Sequence, residues 1–327
     1  MKVAVIGIGC ISQLHVRSIL ACGQELVALC DVDLARCEKV NAQYGILTKN
    51  YTDYLQMLDE CDIDAVHVCT PHYLHQEMIC ACLRRNIHVL TEKPLAISLA
   101  QLQEIEKAVR ESKATLGVCH QRRYEKSMQY VKRLFEQEKA ISGIGTLCWR
   151  RDESYYVSEA WRGKWATEGG GVAINQALHT LDLLLWFFGT PDSVIGHKHN
   201  DSLQGVIEVE DSVFSTFKFA DGRKFFFNAT NACNTSLPVS ILVEGEKTRA
   251  VIVNEWLLVN DQPIKKQDSF PKWGKKEWGI GHAKLIRDFY DCLQSGKKFA
   301  LDFYEGEKVV KLILALYQSN GKEIQIL

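Results

Sequence analysis

Long apolar runs, excess basic charge and paired cysteines are all missing from this sequence. No apolar stretch approaches the ~18 residues that span a bilayer; Leu183–Phe188 is short and directly follows Asp182. Lys and Arg number 39 against 40 Asp and Glu, a formal net charge of −1, which excludes a general electrostatic footprint for nucleic acid. There is no Cys-x-x-Cys pair, no internal repeat and no low-complexity linker. The opening Lys2-Val-Ala-Val-Ile-Gly-Ile-Gly-Cys10 is too short in its apolar part for an export signal. Expected partners therefore include neither a membrane nor nucleic acid.

What is present is a long chain with ample core. At 327 residues and 46% hydrophobic content, two domains or one large one are expected. The 12 cysteines are spread from Cys10 to Cys292, many inside apolar runs such as Leu26–Cys30 and Ala65–Cys69. Free thiols there behave as small hydrophobes, and a long chain with scattered thiols is no disulfide scaffold. A reducing, cytoplasmic setting is expected.

The first 120 residues alternate short apolar runs with segments of helical periodicity. Val3–Ile6, Leu26–Cys30, Ala65–Cys69, His88–Leu90 and Thr115–Cys119 read as buried strands; 11–22, 33–44, 72–85 and 98–112 read as helices. That alternation predicts a parallel sheet covered on both faces. Beyond it the pattern changes. A helix at about 125–138 precedes strand-like stretches at 145–157, 206–219, 223–231, 239–244 and 249–259, with an Asp221-Gly222 hairpin turn. An apolar helix, Val172–Phe188, is stopped by Gly189 and Pro191, and helices at about 282–294 and 304–318 close the chain. The reading is a Rossmann-type α/β domain over 1–120 and an α+β domain over 121–327, built on an open-faced, mainly antiparallel sheet.

A dinucleotide site is legible at the start. A buried strand runs into Gly7-Ile8-Gly9-Cys10-Ile11-Ser12 and then a helix. Gly7 permits the tight turn, Gly9 lets the backbone approach a pyrophosphate, and Ser12 holds the third fingerprint position. A plain strand-to-helix turn would look similar, but Asp31 closes the next strand 22 residues after Gly9. A carboxylate there suits adenosine ribose hydroxyls and repels a 2′-phosphate, which favours NAD over NADP. Two more strands end in Thr70-Pro71-His72 and Thr91-Glu92-Lys93-Pro94. Ligands of open parallel sheets sit outside the carboxyl ends of the strands, so Gly7, Asp31, Thr70 and Lys93 should converge. His72 and His75 stand near Cys69, Cys80 and Cys82 without the paired spacing of a zinc site, and no metal is expected.

The chemistry-bearing residues come next. Lys93 follows an apolar strand, where burial would ease loss of its proton; such a lysine can hold a substrate hydroxyl or protonate an alkoxide. Farther on, Trp161-Arg162-Gly163-Lys164-Trp165 precedes Glu168-Gly-Gly-Gly171 and a helix bearing Asn175, His179 and Asp182. Their i, i+4, i+7 spacing puts those three on one helix face, and the glycines would admit a ligand close to the backbone.

Together these segments resemble the Gfo/Idh/MocA family, the NAD(P)-dependent oxidoreductases named for glucose–fructose oxidoreductase and inositol dehydrogenase. The resemblance is carried by GIGCIS at 7–12, CTPHYLH at 69–75, TEKPLA at 91–96 and EGGGVAINQALHTLD at 168–182, and extends to GHAKLIRDFYDCL at 281–293. It implies hydride transfer between nicotinamide and a secondary alcohol carbon of a sugar, sugar acid, cyclitol or nucleotide sugar. It implies Lys93 and His179 as the catalytic pair. Cofactor contacts are implied for Gly7, Gly9, Cys10, Ile11, Ser12, Asp31, Thr70, Pro71, His72, His75, Glu92 and Lys93. Substrate contacts are implied for Lys93, Gln121, Arg123, Trp161, Arg162, Asn175 and His179. Assembly as a homodimer or homotetramer through the second sheet is implied as well. The sequence departs from inositol-dehydrogenase-like members where Asn175 replaces an acid four residues before the histidine, as in other members of the family, and from many members where Gln121-Arg122-Arg123 replaces Gln-Asn-Arg. Both a redox-neutral glycosidase or epimerase that keeps its NAD and a non-catalytic NAD-binding sugar sensor stay open at this point.

Overall fold

The computed structural model describes residues 1–254, 256–264 and 281–326. They fall into two compact units. One holds Met1–Tyr124 and a later segment ending at Glu307; the other holds the described residues between, together with those from Lys308 on.

In the first unit the chain runs β1 (Lys2–Ile6), α1 (Ser12–Ala21), β2 (Glu25–Cys30), α2 (Leu34–Tyr44), β3 (Lys49–Tyr51), α3 (Tyr54–Glu60), β4 (Ala65–Val68), α4 (His75–Arg84), β5 (His88–Thr91), α5 (Leu99–Glu111) and β6 (Leu116–Val118). The strands form one parallel sheet in the order β3-β2-β1-β4-β5-β6. Val3, Val5, Leu29, Val66 and Val89 are fully buried, which is why these strands read as unbroken apolar runs: both sheet faces are covered. Asp33, Asp53 and Ser98 accept backbone N–H groups at the starts of α2, α3 and α5. The strand order reverses between β1 and β4, and that reversal opens the crevice where ligands of such sheets bind.

The second unit contributes α6 (Lys126–Gln137), β7 (Ser142–Cys148), α7 (Glu153–Val157), α8 (Leu178–Phe188), β8 (Ser193–His199), β9 (Ser212–Lys218), β10 (Lys224–Thr230), β11 (Ser240–Glu244), β12 (Arg249–Val253), β13 (Trp256–Val259) and β14 (Gln262–Pro263). Then follow α9 (Gly281–Ser295), α10 (Phe303–Ser319) and β15 (Ile324–Gln325). The sheet order is β14-β13-β12-β11-β7-β10-β9-β8-β15. Only the β7–β10 ladder is parallel among these pairs. Along β9, Val213, Ser215 and Phe217 are buried while Phe214 is exposed, so the sheet covers one face and leaves the other open.

Several expectations need correction. A single cut at residue 120 does not describe the units, because α9 returns to the first. Its residues His282, Leu285, Ile286, Phe289 and Tyr290 follow helical spacing and are all buried. Four of them share one core with Val3, Val16, Ile19 and Leu29, each apolar side chain contributing about 1.5–3 kcal/mol. The stretch 145–157 is not one strand: β7 ends at Cys148 and α7 follows. The strand expected at 206–219 is only β9, and that at 249–259 is β12 and β13, with Glu255 outside the described residues. Regular helix begins at Leu178 rather than Val172. β3, α3 and β8 were not anticipated.

Candidate functional site

In the first unit, the glycine turn after β1 is built by crowding on one side and openness on the other. Gly7 has φ +88, and a Cβ on it would lie 2.8 Å from the Cys69 carbonyl and from Thr70, so the turn can press against the end of β4. A Cβ on Gly9 would meet nothing within 4 Å. Ser12 is buried and its Oγ donates to the Gly9 carbonyl at 2.7 Å. Ile11 precedes α1 without a side-chain cap, so the first N–H groups of that helix keep their capacity for an anion. Cys10 is exposed.

Asp31 is tied directly to this turn. Its Oδ2 accepts the Ile8 N–H at 2.7 Å and its Oδ1 the Asp33 N–H at 3.0 Å. Arg36 Nη1 stands 3.8 Å from Oδ2. The cap of α2 is Asp33, whose Oδ1 accepts the Ala35 N–H at 3.1 Å. The two acids thus divide the labour: Asp31 faces the turn and Asp33 the helix.

The ends of β4 and β5 are cross-braced by His75. Its Nδ1 faces the Pro94 carbonyl at 2.7 Å and its Nε2 the Thr70 carbonyl at 2.9 Å. Two carbonyls ask for two N–H donors, while complete burial lowers the imidazole pKa. His75 therefore shapes the loops that carry Thr70, Pro71 and Lys93, and His72 is buried beside it. The Lys93–Pro94 peptide is cis.

Beneath these loops runs a buried polar chain that the sequence did not disclose. The Tyr290 hydroxyl and His67 Nε2 are 2.7 Å apart, His67 Nδ1 and His15 Nδ1 2.7 Å, and His15 Nε2 and Glu92 Oε1 3.0 Å. His282 Nε2 reaches the same Glu92 oxygen at 3.2 Å. Burial pushes the Glu92 pKa up, but the hydrogen bonds from His15 and His282 outweigh it and hold the carboxyl well below its ordinary range. An ionised carboxylate only accepts, so both Nε2 atoms carry hydrogens. Burial keeps His15 and His67 neutral. His15 then accepts at Nδ1 from His67, and His67 accepts from Tyr290. Every donor points toward Glu92, whose other oxygen takes the Lys93 N–H at 3.2 Å. His15, Glu92 and Cys119 also bring metal-ligand atoms within 4.8 Å of one another. Both nitrogens of His15 are hydrogen-bonded within the chain, so a metal would have to displace those bonds.

In the second unit, the glycine run before α8 serves the protein's own packing. A Cβ on Gly170 would lie 2.1 Å from the Tyr317 hydroxyl, and one on Gly171 1.9 Å from the Glu210 carbonyl. The close approach expected of a ligand is made instead by these two residues. Glu210 Oε2 accepts the Gly171 N–H at 2.8 Å, and Oε1 accepts the Ala173 N–H at 3.1 Å and the Tyr317 hydroxyl at 2.8 Å. Glu168 is fully buried; it accepts the Gly163 N–H at 2.5 Å and an N–H of the Asn175 amide. Burial pushes the Glu168 pKa up to about 7 and that of Glu210 up to about 6. His179 and Asp182 lie in α8, whereas Asn175 lies in the turn before it, its N–H bonded to the Gly171 carbonyl at 3.1 Å.

Among the remaining expected substrate residues, Gln121 and Arg123 are buried in the first unit, and Arg123 Nη1 meets Glu305 Oε2 at 2.9 Å. Trp161 and Arg162 lie half-buried in the second unit, the Arg162 guanidinium set against the rings of Tyr155 and Trp161. The sequence reading did not single out His15, His67, His282, Glu168 or Glu210. Only Glu168 carried a signal, being the one acid beside the glycines when Asn175 is not one.

Residues 1–120 match the sequence profile described as "Oxidoreductase family, NAD-binding Rossmann fold", and 139–251 match the GFO/IDH/MocA C-terminal domain. The chain belongs to the Gfo/Idh/MocA family. Inositol 2-dehydrogenase of Salmonella typhimurium LT2 is 30% identical over 139 residues, 42% of this chain and 41% of that protein. The 1,5-anhydro-D-fructose reductase of Ensifer adhaerens is 28% identical over 211 residues, 63% of this chain and 62% of that one. The chain thus spans about two fifths of the first of these Gfo/Idh/MocA relatives and under two thirds of the second. The WlbA dehydrogenase of Bordetella pertussis, solved with NADH and UDP-GlcNAcA, has TM-score 0.86 at 27% identity, covering 100% of this chain and 98% of that one. Levoglucosan dehydrogenase, solved with NADH and levoglucosan, shares the fold at TM-score 0.87 and 21% identity, covering 100% and 99%.

Proposed function

We propose that this family member is an NAD-dependent oxidoreductase that moves a hydride between nicotinamide and a secondary alcohol carbon of a sugar, sugar acid, cyclitol or nucleotide sugar. The observation that carries the reading is the Gly7–Gly9 turn with the Asp31 carboxylate bonded to it through the Ile8 N–H. The turn suits a dinucleotide: the space beyond Gly9 and the uncapped start of α1 fit a pyrophosphate. Each Asp31 oxygen keeps a lone pair for a ribose hydroxyl, and its charge disfavours a 2′-phosphate. NAD supplies the hydride acceptor when bound.

The protein's own share is proton handling and orientation. We assign Lys93 the hydrogen bond to the reacting oxygen and His179 the proton, with Asn175 holding a neighbouring hydroxyl. Glu92 acts as the fixed anion beside Lys93. The names of the relatives support a dehydrogenase or reductase acting on sugar-like alcohols. Self-association through the open sheet face is supported by Phe214, Phe226 and Trp256, which are 52%, 39% and 73% exposed. A cytoplasmic setting suits twelve free thiols.

The test is a panel of sugars, sugar acids and cyclitols with NAD or NADP, followed at the NADH absorbance. Free NADH should accumulate with at least one member. Conversion of a sugar without free NADH would replace this reading by the redox-neutral one, and binding without conversion would point to a sensor.

A further inference from the structure

We propose that the substrate carries an oxyanion, a carboxylate or a phosphate, and that Arg151 and Arg162 bind it; this rests on the oxidoreductase reading above. The observation is a ladder of alternating guanidinium groups and aromatic rings within the second unit. Arg151 Cζ lies 5.5 Å from the Trp149 ring centre and 4.8 Å from that of Tyr155. Arg162 Cζ lies 4.2 Å from the Tyr155 ring centre and 5.6 Å from that of Trp161. Sharing one ring, the two cations are no more than about 9 Å apart.

Their positions are fixed but their charges are not answered. Arg162 Nη1 donates to the Tyr155 carbonyl at 2.9 Å and to Ser158 Oγ at 2.8 Å, and Arg151 Nη1 donates to the Arg150 carbonyl at 2.8 Å. All three acceptors are neutral. Among the described residues neither arginine joins an ion pair, although Arg150 meets Asp152 at 3.5 Å. The Nε atoms of both are buried without a hydrogen-bond partner. Glu168 feels the charge of Arg162 without forming an ion pair with it, its oxygens accepting instead from Gly163 and Asn175. Stacking on a ring orients a guanidinium without cancelling its charge. Two oriented forks with unspent donors match an oxyanion in geometry as well as sign.

The ladder also adjoins the proposed substrate residues. Tyr155, its middle rung, accepts at its hydroxyl from Gln176 Nε2 at 3.1 Å and from Asn175 Nδ2 at 3.4 Å. An anion held by Arg151 and Arg162 would therefore belong to the molecule whose hydroxyl Asn175 holds. That narrows the substrate to an acidic sugar, a sugar phosphate or a nucleotide sugar.

Calorimetric titration of the NADH-loaded protein with D-glucuronate, D-glucose 1-phosphate and D-glucose separates the sources. One anionic probe should bind about tenfold more tightly than glucose, and less so as salt rises. Preference for glucuronate assigns a carboxylate, and for glucose 1-phosphate a phosphate. Arg151→Met and Arg162→Met should each remove most of that preference while NADH affinity is retained, which certifies the fold; Arg151→Lys should fall between. Equal affinity for all three probes, no binding of either anion at millimolar concentration, or variants that keep the preference would each overturn the proposal. Failure of the oxidoreductase reading would show separately, as anion binding without NADH formation from any panel member.

Discussion

Glu92 in the first unit and Glu168 in the second are both buried carboxyl groups beside residues assigned to the reaction, yet they are held in opposite states. Glu92 is kept ionised and Glu168 is pushed up to about 7. The number of donors does not explain the difference, because Glu210 has three and still rises to about 6. The kind of donor does. Burial raises Glu168 and Glu210, which receive only neutral amides and a hydroxyl, and the charge of Glu210 lifts Glu168 further. Glu92 receives two imidazoles, one of them backed by His67 and Tyr290. Glu92 is a fixed anion beside Lys93, and Glu168 changes its charge near neutral pH.

The largest effect should come from removing the lysine beside the fixed anion. Lys93→Met should lower turnover by about 10²–10⁴-fold while NADH affinity is retained; His179→Ala should likewise depress turnover more than cofactor binding. Near-normal turnover in the lysine variant would remove it from the reaction. Steady-state rates and an NADH fluorescence titration read both quantities.

The two carboxyls should next impose opposite pH slopes on stability. Glu168 binds its proton more tightly folded than unfolded, so its contribution is full below about pH 4.5 and is lost as pH rises through about 7. The shift corresponds to about 3 kcal/mol. Glu168→Gln should flatten that fall, measured by urea unfolding at acid and neutral pH. Glu92 has the reverse sign: its stabilisation is present above the ordinary carboxylate range and lost as pH falls. Glu92→Gln should therefore cost most at neutral pH, and parallel slopes in the two variants would erase the contrast.

The smallest expected effect concerns cofactor choice. Asp31→Ala removes the carboxylate and frees Arg36, now 3.8 Å from it, for a 2′-phosphate. The NAD preference should shrink about tenfold in kcat/KM. An unchanged ratio would take Asp31 out of ribose binding.

Sequence reading recovered what periodicity and turn chemistry encode locally. The strands β1, β2, β4, β5 and β6 are apolar runs ending in glycine or polar residues, and the β9–β10 hairpin turns at Asp221-Gly222. β3 escaped because only Tyr51 of its three residues is buried. α9 was legible as a helix but not as part of the first core, since packing partners hundreds of residues away leave no local trace. The same holds for His15, His67 and His282, each a lone histidine until the fold joins them at Glu92. The glycines before α8 misled because Tyr317 and the Glu210 backbone, not a ligand, fill the space they leave.

The most direct test of hydride transfer uses the best sugar or sugar acid from the panel, deuterated at the carbon to be oxidised. With NAD and the wild-type protein, mass spectrometry of the cofactor should find the deuterium on the nicotinamide ring. Product formation with the label in water, or with an unlabelled cofactor, would contradict the account.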